Sequence, residues 1–145
     1  YDLAKSHLRR TNMDVTLDLG EAIPMLVVDF GQINEVLMNL IINAIEAMPR
    51  GGRLTYKTSK IETGEGPAIG ISIQDTGSGI RPEHLKNIFK PFYTTKESGV
   101  GLGLAICRRI IREHGGSIRV KSVAGKGSIF FIRLDAGDKI NYNPS

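Results

Sequence analysis

Apolar positions change their period several times along the chain, and each change marks an element. Val15, Leu17 and Leu19 alternate with polar neighbours, the period-two pattern of a short strand. The apolar stretch Ile23 to Val28 runs into Asp29, a side chain suited to cap a helix. From Phe30 to Met48 the spacing becomes helical. Ile33, Leu37, Leu40, Ala44 and Met48 recur every three to four residues, and Val36, Ile41 and Ile45 widen the face. Pro49 and the Gly51-Gly52 pair end it. Arg53 to Lys60 and Ala68 to Asp75 read as strands, joined by a polar turn from Glu62 to Pro67. Residues 76–103 hold five glycines and two prolines, with a short helical piece near Glu83 to Ile88. Loops beyond about 12–15 residues are usually functional or mobile. Leu104 to His114 is a second amphipathic helix, closed by Gly115-Gly116. Ser117 to Val123 and Ser128 to Leu134 form a last hairpin around Ala124 to Gly127.

The strands mostly return as hairpins. The sheet is therefore expected to be largely antiparallel with its helices on one face, an α+β two-layer sandwich. Residues 1–13 read as a linker from a preceding element, 14–136 as one domain and 137–145 as a tail. No internal repeat interrupts this order.

Composition narrows the class. A chain of 145 residues fits one domain and buries roughly two-thirds of its unfolded surface without metal or disulfide support. With 41% hydrophobic and 23% charged residues it is globular, not disordered. No apolar run reaches membrane-spanning length, and the N-terminus lacks the basic-then-apolar pattern of a signal peptide. The single cysteine, Cys107, rules out an internal disulfide and a Cys-rich zinc module, and suits a reducing compartment. The net charge of +4 is spread without runs, so nothing demands a nucleic-acid partner.

Three groups of residues could carry chemistry. On the first helix, Gln32, Glu35, Asn39, Asn43 and Glu46 fall on one narrow stripe flanked by Met38, Ile42, Val36 and Ala47. Two carboxamides one turn apart, with a carboxylate one turn before, are good oxygen donors for a hard cation such as Mg²⁺. A polar seam bonded to neighbouring backbone explains the stripe equally well. In the strand before the loop, Ile69, Ile71, Ile73 and Asp75 share one face, so the carboxylate points where the isoleucines point. An adenine amino group would supply the donor that such a group needs, and Gly77 and Gly79 would let a flat base approach. An Asp capping its own turn before Gly is the plainer account. Gly99 to Leu104 runs straight into the second helix, where backbone N–H groups and the helix dipole favour an anion. It is neither a Walker A loop nor a dinucleotide fingerprint, and a flexible hinge is the alternative. Lys96 just upstream could add a point charge to a phosphate. Together the three supply a cation site, a base-recognising acid and a phosphate cradle.

In this order the segments resemble the boxes of the GHKL ATPases, the superfamily of gyrase, heat-shock chaperone, histidine kinase and MutL. Asn39 to Ala44 is similar to the N box, Asp75 to Gly79 to the first glycine box, Phe89 to Lys96 to the F box, and Gly99 to Leu104 to the second glycine box. The F box and the run Gly101 to Ile106 single out the sensor histidine kinases, and Asn43 to Met48 fits a nitrogen-regulator-like subgroup. The resemblance implies a Bergerat fold, with a mixed, mostly antiparallel sheet and ATP held under a lid spanning about Arg81 to Val100. It implies that Asn43 and Asn39 hold Mg²⁺ and that Asp75 accepts from the adenine amine. Gly77, Gly79 and Ile80 shape the base pocket, and Phe89 and Thr95 complete the nucleotide-binding positions. Gly101, Leu102 and Gly103 present N–H groups to the phosphates, and Gly99 is a further nucleotide-binding position. Glu35 is a candidate base or a support to the metal ligands. Where many relatives carry a phosphate-binding Lys, this chain has Glu46, and Lys96 is the candidate replacement. Ser128 stands where a Thr is usual and keeps the hydroxyl that reaches the adenine through water.

The family's phosphoacceptor motif does not surround His7, His84 or His114. The resemblance therefore implies a cytoplasmic catalytic domain that passes the γ-phosphate of Mg-ATP to a histidine on a separate dimerisation domain, with a response-regulator receiver domain downstream. The isolated domain is expected to be monomeric and its parent dimeric, without a nucleic-acid partner. Membrane anchoring of the parent is left open. Three other readings remain: an aspartic protease built on Asp75 to Ser78, a serine kinase of the anti-sigma type, and a nucleotide-binding module without phosphoryl transfer. The protease leaves the Asn stripe and the second glycine loop unexplained. The Thr94-Thr95-Lys96 run argues against the serine kinase.

Overall fold

The computed structural model describes residues 12–95, 101 and 103–136. Five strands form one sheet: β1 (Met13–Leu19), β2 (Gly52–Thr63), β3 (Gly66–Asp75), β4 (Ser117–Val123) and β5 (Gly127–Asp135). Their spatial order is β1-β2-β3-β5-β4. Among the described residues three helices accompany them: α1 (Phe30–Glu46), α2 (Pro82–Leu85) and α3 (Gly103–Glu113).

Connectivity explains the mixed sheet. β1 and β2 are joined through α1, and such a crossover makes them parallel. β2 and β3 form an antiparallel hairpin, as do β4 and β5. β5 returns into the space between β3 and β4 and pairs antiparallel with both. The α+β sandwich expected from the sequence is the architecture found. At the β2–β3 tip the ladder runs to the pair Thr63–Gly66, so the turn is tighter than the polar stretch Glu62 to Pro67 suggests. The Thr63 hydroxyl shortens it by donating to the Gly66 carbonyl at 2.7 Å.

Asp29 caps α1 as its chemistry predicts, with Oδ1 accepting from Gln32 N–H at 3.0 Å. The helix stops at Glu46, two residues before the apolar spacing ends. Met48 lies past the C-cap and is still only 2% exposed, so the apolar period outlasts the helix. α2 likewise covers only Pro82–Leu85 of the expected helical piece, and Ile88 is buried from the turn that follows.

Val36, Leu40 and Ala44 of α1, Cys107, Ile110 and Ile111 of α3, and Ile71, Ile73, Phe130 and Ile132 of the sheet meet in one core. One clasp ties the two long helices together. His114, just past α3, accepts the Asp29 N–H through Nε2 at 3.1 Å, while its Nδ1 lies 2.7 Å from the Ile110 carbonyl. The strand read from Val15, Leu17 and Leu19 is present as β1, but its apolar side chains are not covered. Leu17 and Leu19 are 61% and 62% exposed, because β1 is the sheet edge while α1 packs on α3 and towards β3.

Candidate functional site

The helix-side face of the sheet is built in rows. Tyr56, Ile73, Phe130 and Val120 lie opposite one another across β2, β3, β5 and β4, as do Thr58, Ile71, Ile132 and Ile118. One row further on, the register places Leu54, Asp75, Ser128 and Ser122 side by side. Directly opposite residues project to the same face. The apolar floor thus gives way to a carboxylate and two hydroxyls at the end of the sheet.

Asp75 is only 5% exposed. Its Oδ1 accepts the Gly77 N–H at 2.9 Å, and the backbone of Ser128 supplies a second hydrogen bond. Burial pushes its carboxyl above the ordinary range, and these two bonds pull the other way. A buried carboxylate with lone pairs left is suited to receive a further donor.

The turn after Asp75 is pinned on two sides. Gly77 packs on the end of α1 so closely that a Cβ would stand 2.5 Å from the Ala47 carbonyl oxygen, and Ser78 N–H donates to that oxygen at 3.1 Å. Gly79 has φ +68, and a Cβ there would lie 2.1 Å from the Val123 carbonyl oxygen in the β4–β5 hairpin. Only glycine meets both conditions without strain. Ile80 N–H then donates to Ser122 Oγ at 2.7 Å.

Asn39 and Asn43 are half-buried on α1, while Glu35 and Glu46 are exposed. Two contacts bracket the asparagines. At one end, a Cβ on Gly103 would stand 3.4 Å from Asn39 Oδ1, so the start of α3 lies against that amide. At the other, Ala47 N–H donates to the Asn43 carbonyl at 3.0 Å, and the Gly77 turn sits on Ala47. Glu35 lies near enough to α3 that its charge helps raise the Cys107 thiol, which burial pushes up to about 12. Among the described residues, no trio of His, Cys, Asp or Glu gathers into a metal site. A hard cation here would be held by carboxamide oxygens and completed by ligand and water, as Mg²⁺ tolerates.

The F-box segment folds back on the second glycine segment. Phe92 N–H donates to the Gly101 carbonyl at 2.9 Å, and Phe92 itself has φ +66. Tyr93 is hydrogen-bonded to His84 of α2. Phe89 packs edge-on against Phe130 at 6.4 Å between centroids, with the Arg108 guanidinium 5.7 Å above its ring. It therefore anchors the segment in the core. Thr95 is exposed. Lys96, Gly99 and Leu102 lie outside the described residues, as do most of the linker and tail positions. A concavity of about 290 Å³ on the outer side of α3, bordered by Phe89, Pro91, Arg108 and Arg112, touches none of the other candidate residues.

The structure thus gathers Asn39, Asn43, Asp75, Gly77, Gly79, Ile80, Gly103 and Ser128 around one end of the sheet and α1. It adds Ser122, which the reading by motifs passes over. The hairpin register holds the signal, since a turn centred on Gly125 sets Ser122 opposite Ser128.

Solved structures of known proteins share this fold. The catalytic domain of the histidine kinase ThkA in a nucleotide-free form superposes with a TM-score of 0.82 at 33% identity, covering 94% of this chain and 89% of that one. Full-length ShkA in complex with AMPPNP gives 0.80 at 27% identity, over 92% of this chain and 27% of that one. Sporulation kinase C of Bacillus subtilis is 50% identical over 73% of this chain. The sensor histidine kinase ZraS of Salmonella typhi is 38% identical over 92%. The chain spans 24% and 28% of the length of these two relatives. The family model of histidine kinase-, DNA gyrase B- and HSP90-like ATPases matches residues 28–138, and the chain belongs to that family, on its sensor histidine kinase branch.

Proposed function

We propose that the domain binds Mg-ATP at the end of the sheet and serves a sensor histidine kinase by passing the γ-phosphate to a histidine on a separate dimerisation domain. The observation that carries this reading is the convergence at Asn39 and Asn43. The start of α3 lies at the first amide, and the Asp75 turn lies one helical turn beyond the second. Asp75 accepts the amino group of the base, with Ser128 beside it and Gly77, Gly79 and Ile80 framing the ring. Asn39 and Asn43 offer amide oxygens to Mg²⁺, which when bound neutralises phosphate charge. Backbone N–H groups at the start of α3, near Gly101 and Gly103, face the phosphates, where the helix dipole favours negative charge. Lys96 stands in for the lysine that Glu46 replaces, Thr95 and Gly99 complete the nucleotide-binding positions, and Leu102 adds its N–H to those offered to the phosphates. Glu35 supports the metal ligands or acts as base. Residues 14–136 form the catalytic unit, linked through 1–13 to the His-bearing domain of a dimeric parent, with a receiver domain downstream. No described helix is long and apolar enough to cross a membrane.

Phosphoryl transfer of this kind is mainly positioning and charge neutralisation. The domain therefore needs no nucleophile of its own, and the acceptor imidazole comes from outside it. Mixing the domain with the His-bearing fragment and ATP labelled at the γ-phosphate tests this. An acid-labile label on the fragment's histidine is the expected result, lost in Asn43→Ala. ATP binding without any label would leave a nucleotide-binding module and overturn the transferase reading.

A further inference from the structure

The sheet has a second face, formed by the residues that alternate with the core rows and point away from the helices. Two rows cross all five strands there. In one, Asp18, Lys57, Ser72, Phe131 and Arg119 lie side by side from β1 to β4. In the next stand Thr16, Thr55, Gln74, Ile129 and Lys121. Among the described residues nothing covers this face. Asp18, Lys57, Gln74, Arg119 and Lys121 are exposed, and Phe131 is 42% exposed although β5 is an inner strand.

The charges on this face are sorted by edge. At one edge the charged residues of β1 are both acids, Asp14 and Asp18; at the other those of β4 are both bases, Arg119 and Lys121. Asp14 and Asp18 lie 3.5 and 3.7 Å from the cations of Arg53 and Lys57. A carboxylate with one such partner keeps lone pairs for a second. Arg119 and Lys121 have no ion-pair partner among the described residues.

We propose that this face is an interface between two copies of the chain, set face to face by a two-fold axis running along β3. That rotation lays β1 of one copy over β4 of the other, and β2 over β5. Each acidic edge then meets a basic edge. Lys57 comes over the ring of Phe131, the placement a cation prefers, while Ser72 and Gln74 meet their own counterparts at the axis. Contacts off the axis occur twice, as a two-fold interface requires. Packed sheets cross at about 30°, which slides the edges by about one to two residues. Asp14 and Asp18 are therefore matched to Arg119 and Lys121 as a pair to a pair. A nucleic acid or an anionic lipid surface would instead meet the two carboxylates with like charge.

Five strands about 4.8 Å apart and about 23 Å long give roughly 550 Å² per copy, or about 1,100 Å² in all, the size of a weak, transient contact. The chain is then monomeric when dilute and pairs when concentrated. Two catalytic domains tethered in one parent dimer meet at an effective concentration of the order of mM. That consequence rests on the proposed function; the pairing itself does not.

Sedimentation equilibrium of the nucleotide-free chain, up to about 1 mM, tests the pairing separately from the nucleotide reading. Wild type is expected to pass from monomer to dimer. Asp14→Lys with Asp18→Lys makes both edge contacts repulsive, and Arg119→Glu with Lys121→Glu does so with the opposite sign. Each double variant is expected to weaken the dimer at least about 10-fold. Mixed in equal amounts, the two are complementary at both edges and regain a dimer of near wild-type strength. Phe131→Ala, which changes no charge, weakens the wild-type dimer at least about 5-fold. All four charged positions are exposed, so the reversals are expected to leave the fold intact by circular dichroism; Asp18→Asn and Arg119→Gln, each weakening the dimer about 3-fold, serve should either double variant not fold. A wild-type chain that stays monomeric throughout overturns the proposal and leaves the face to another kind of partner. A dimer indifferent to these substitutions places the contact elsewhere and overturns it. A mixture of the two folded variants that stays monomeric overturns the edge-to-edge match.

Discussion

At the scale of one residue, Asp75 trades stability against recognition. Burial raises its carboxyl pKa, and the two backbone donors offset this only in part. A raised native pKa means that the folded state holds its proton more tightly than the unfolded chain does. Between the ordinary value of 3.8 and the raised one the native state binds more protons, so stability falls as pH rises through that window. At neutral pH the folded domain carries the cost of an ionised, buried group. Asp75→Asn removes the charge and keeps an oxygen for the Gly77 N–H. The nucleotide-free variant is expected to melt at or above the wild-type temperature near pH 7. This advantage shrinks as the pH approaches the carboxyl range and the wild-type group regains its proton. The same variant loses about 10- to 100-fold in ATP affinity, the worth of a hydrogen bond to a charged acceptor. Calorimetric melting at two pH values and a binding titration check both halves. A variant that melts lower and still binds ATP normally would make Asp75 a plain turn-capping residue.

At the scale of elements, the contacts that matter join segments far apart in sequence. The Gly79 turn is seated on the β4–β5 hairpin, with Gly125 N–H donating to the Ser78 carbonyl. Gly79→Ala is expected to be costly twice over, through the positive φ and through the clash with Val123. A loss of about 2 kcal/mol or more in urea unfolding is expected, with weakened ADP binding because Ile80 leaves Ser122. The sequence shows where the elements lie because period and capping are local: Asp29, the α1 face and both hairpins can be read from neighbouring residues. It shows less of what one element does to another. The parallel pairing of β1, the insertion of β5 between β3 and β4, and the His114 clasp on Asp29 depend on the crossovers and on the order in which strands add to the sheet. The candidate site follows the same division. Asn39, Asn43 and Asp75 stand out because polar groups interrupt apolar patterns. Ser122 needs the register of the last hairpin before its place in the row becomes visible.

At the scale of the molecule, the site and the core are one structure. The row of Asp75, Ser128 and Ser122 continues the apolar rows beneath it, and the helix that carries Asn39 and Asn43 is the one whose Leu40, only 1% exposed, fills the centre of the core. β1 lies at the opposite edge, with Leu17 facing largely open space. Two apolar truncations should therefore behave very differently. Leu40→Ala removes buried methyl groups and leaves a cavity, a change that costs about 2–5 kcal/mol. It also weakens ADP binding, because α1 is the common wall of core and site. Leu17→Ala removes a side chain that is mostly solvated already, so its cost should stay below about 1 kcal/mol, with ADP affinity unchanged. Urea unfolding and ADP titration on the two variants test the point together. Equal losses in both would mean that the edge strand shares the core's packing, and that the site does not rest on the α1–α3–sheet layer alone.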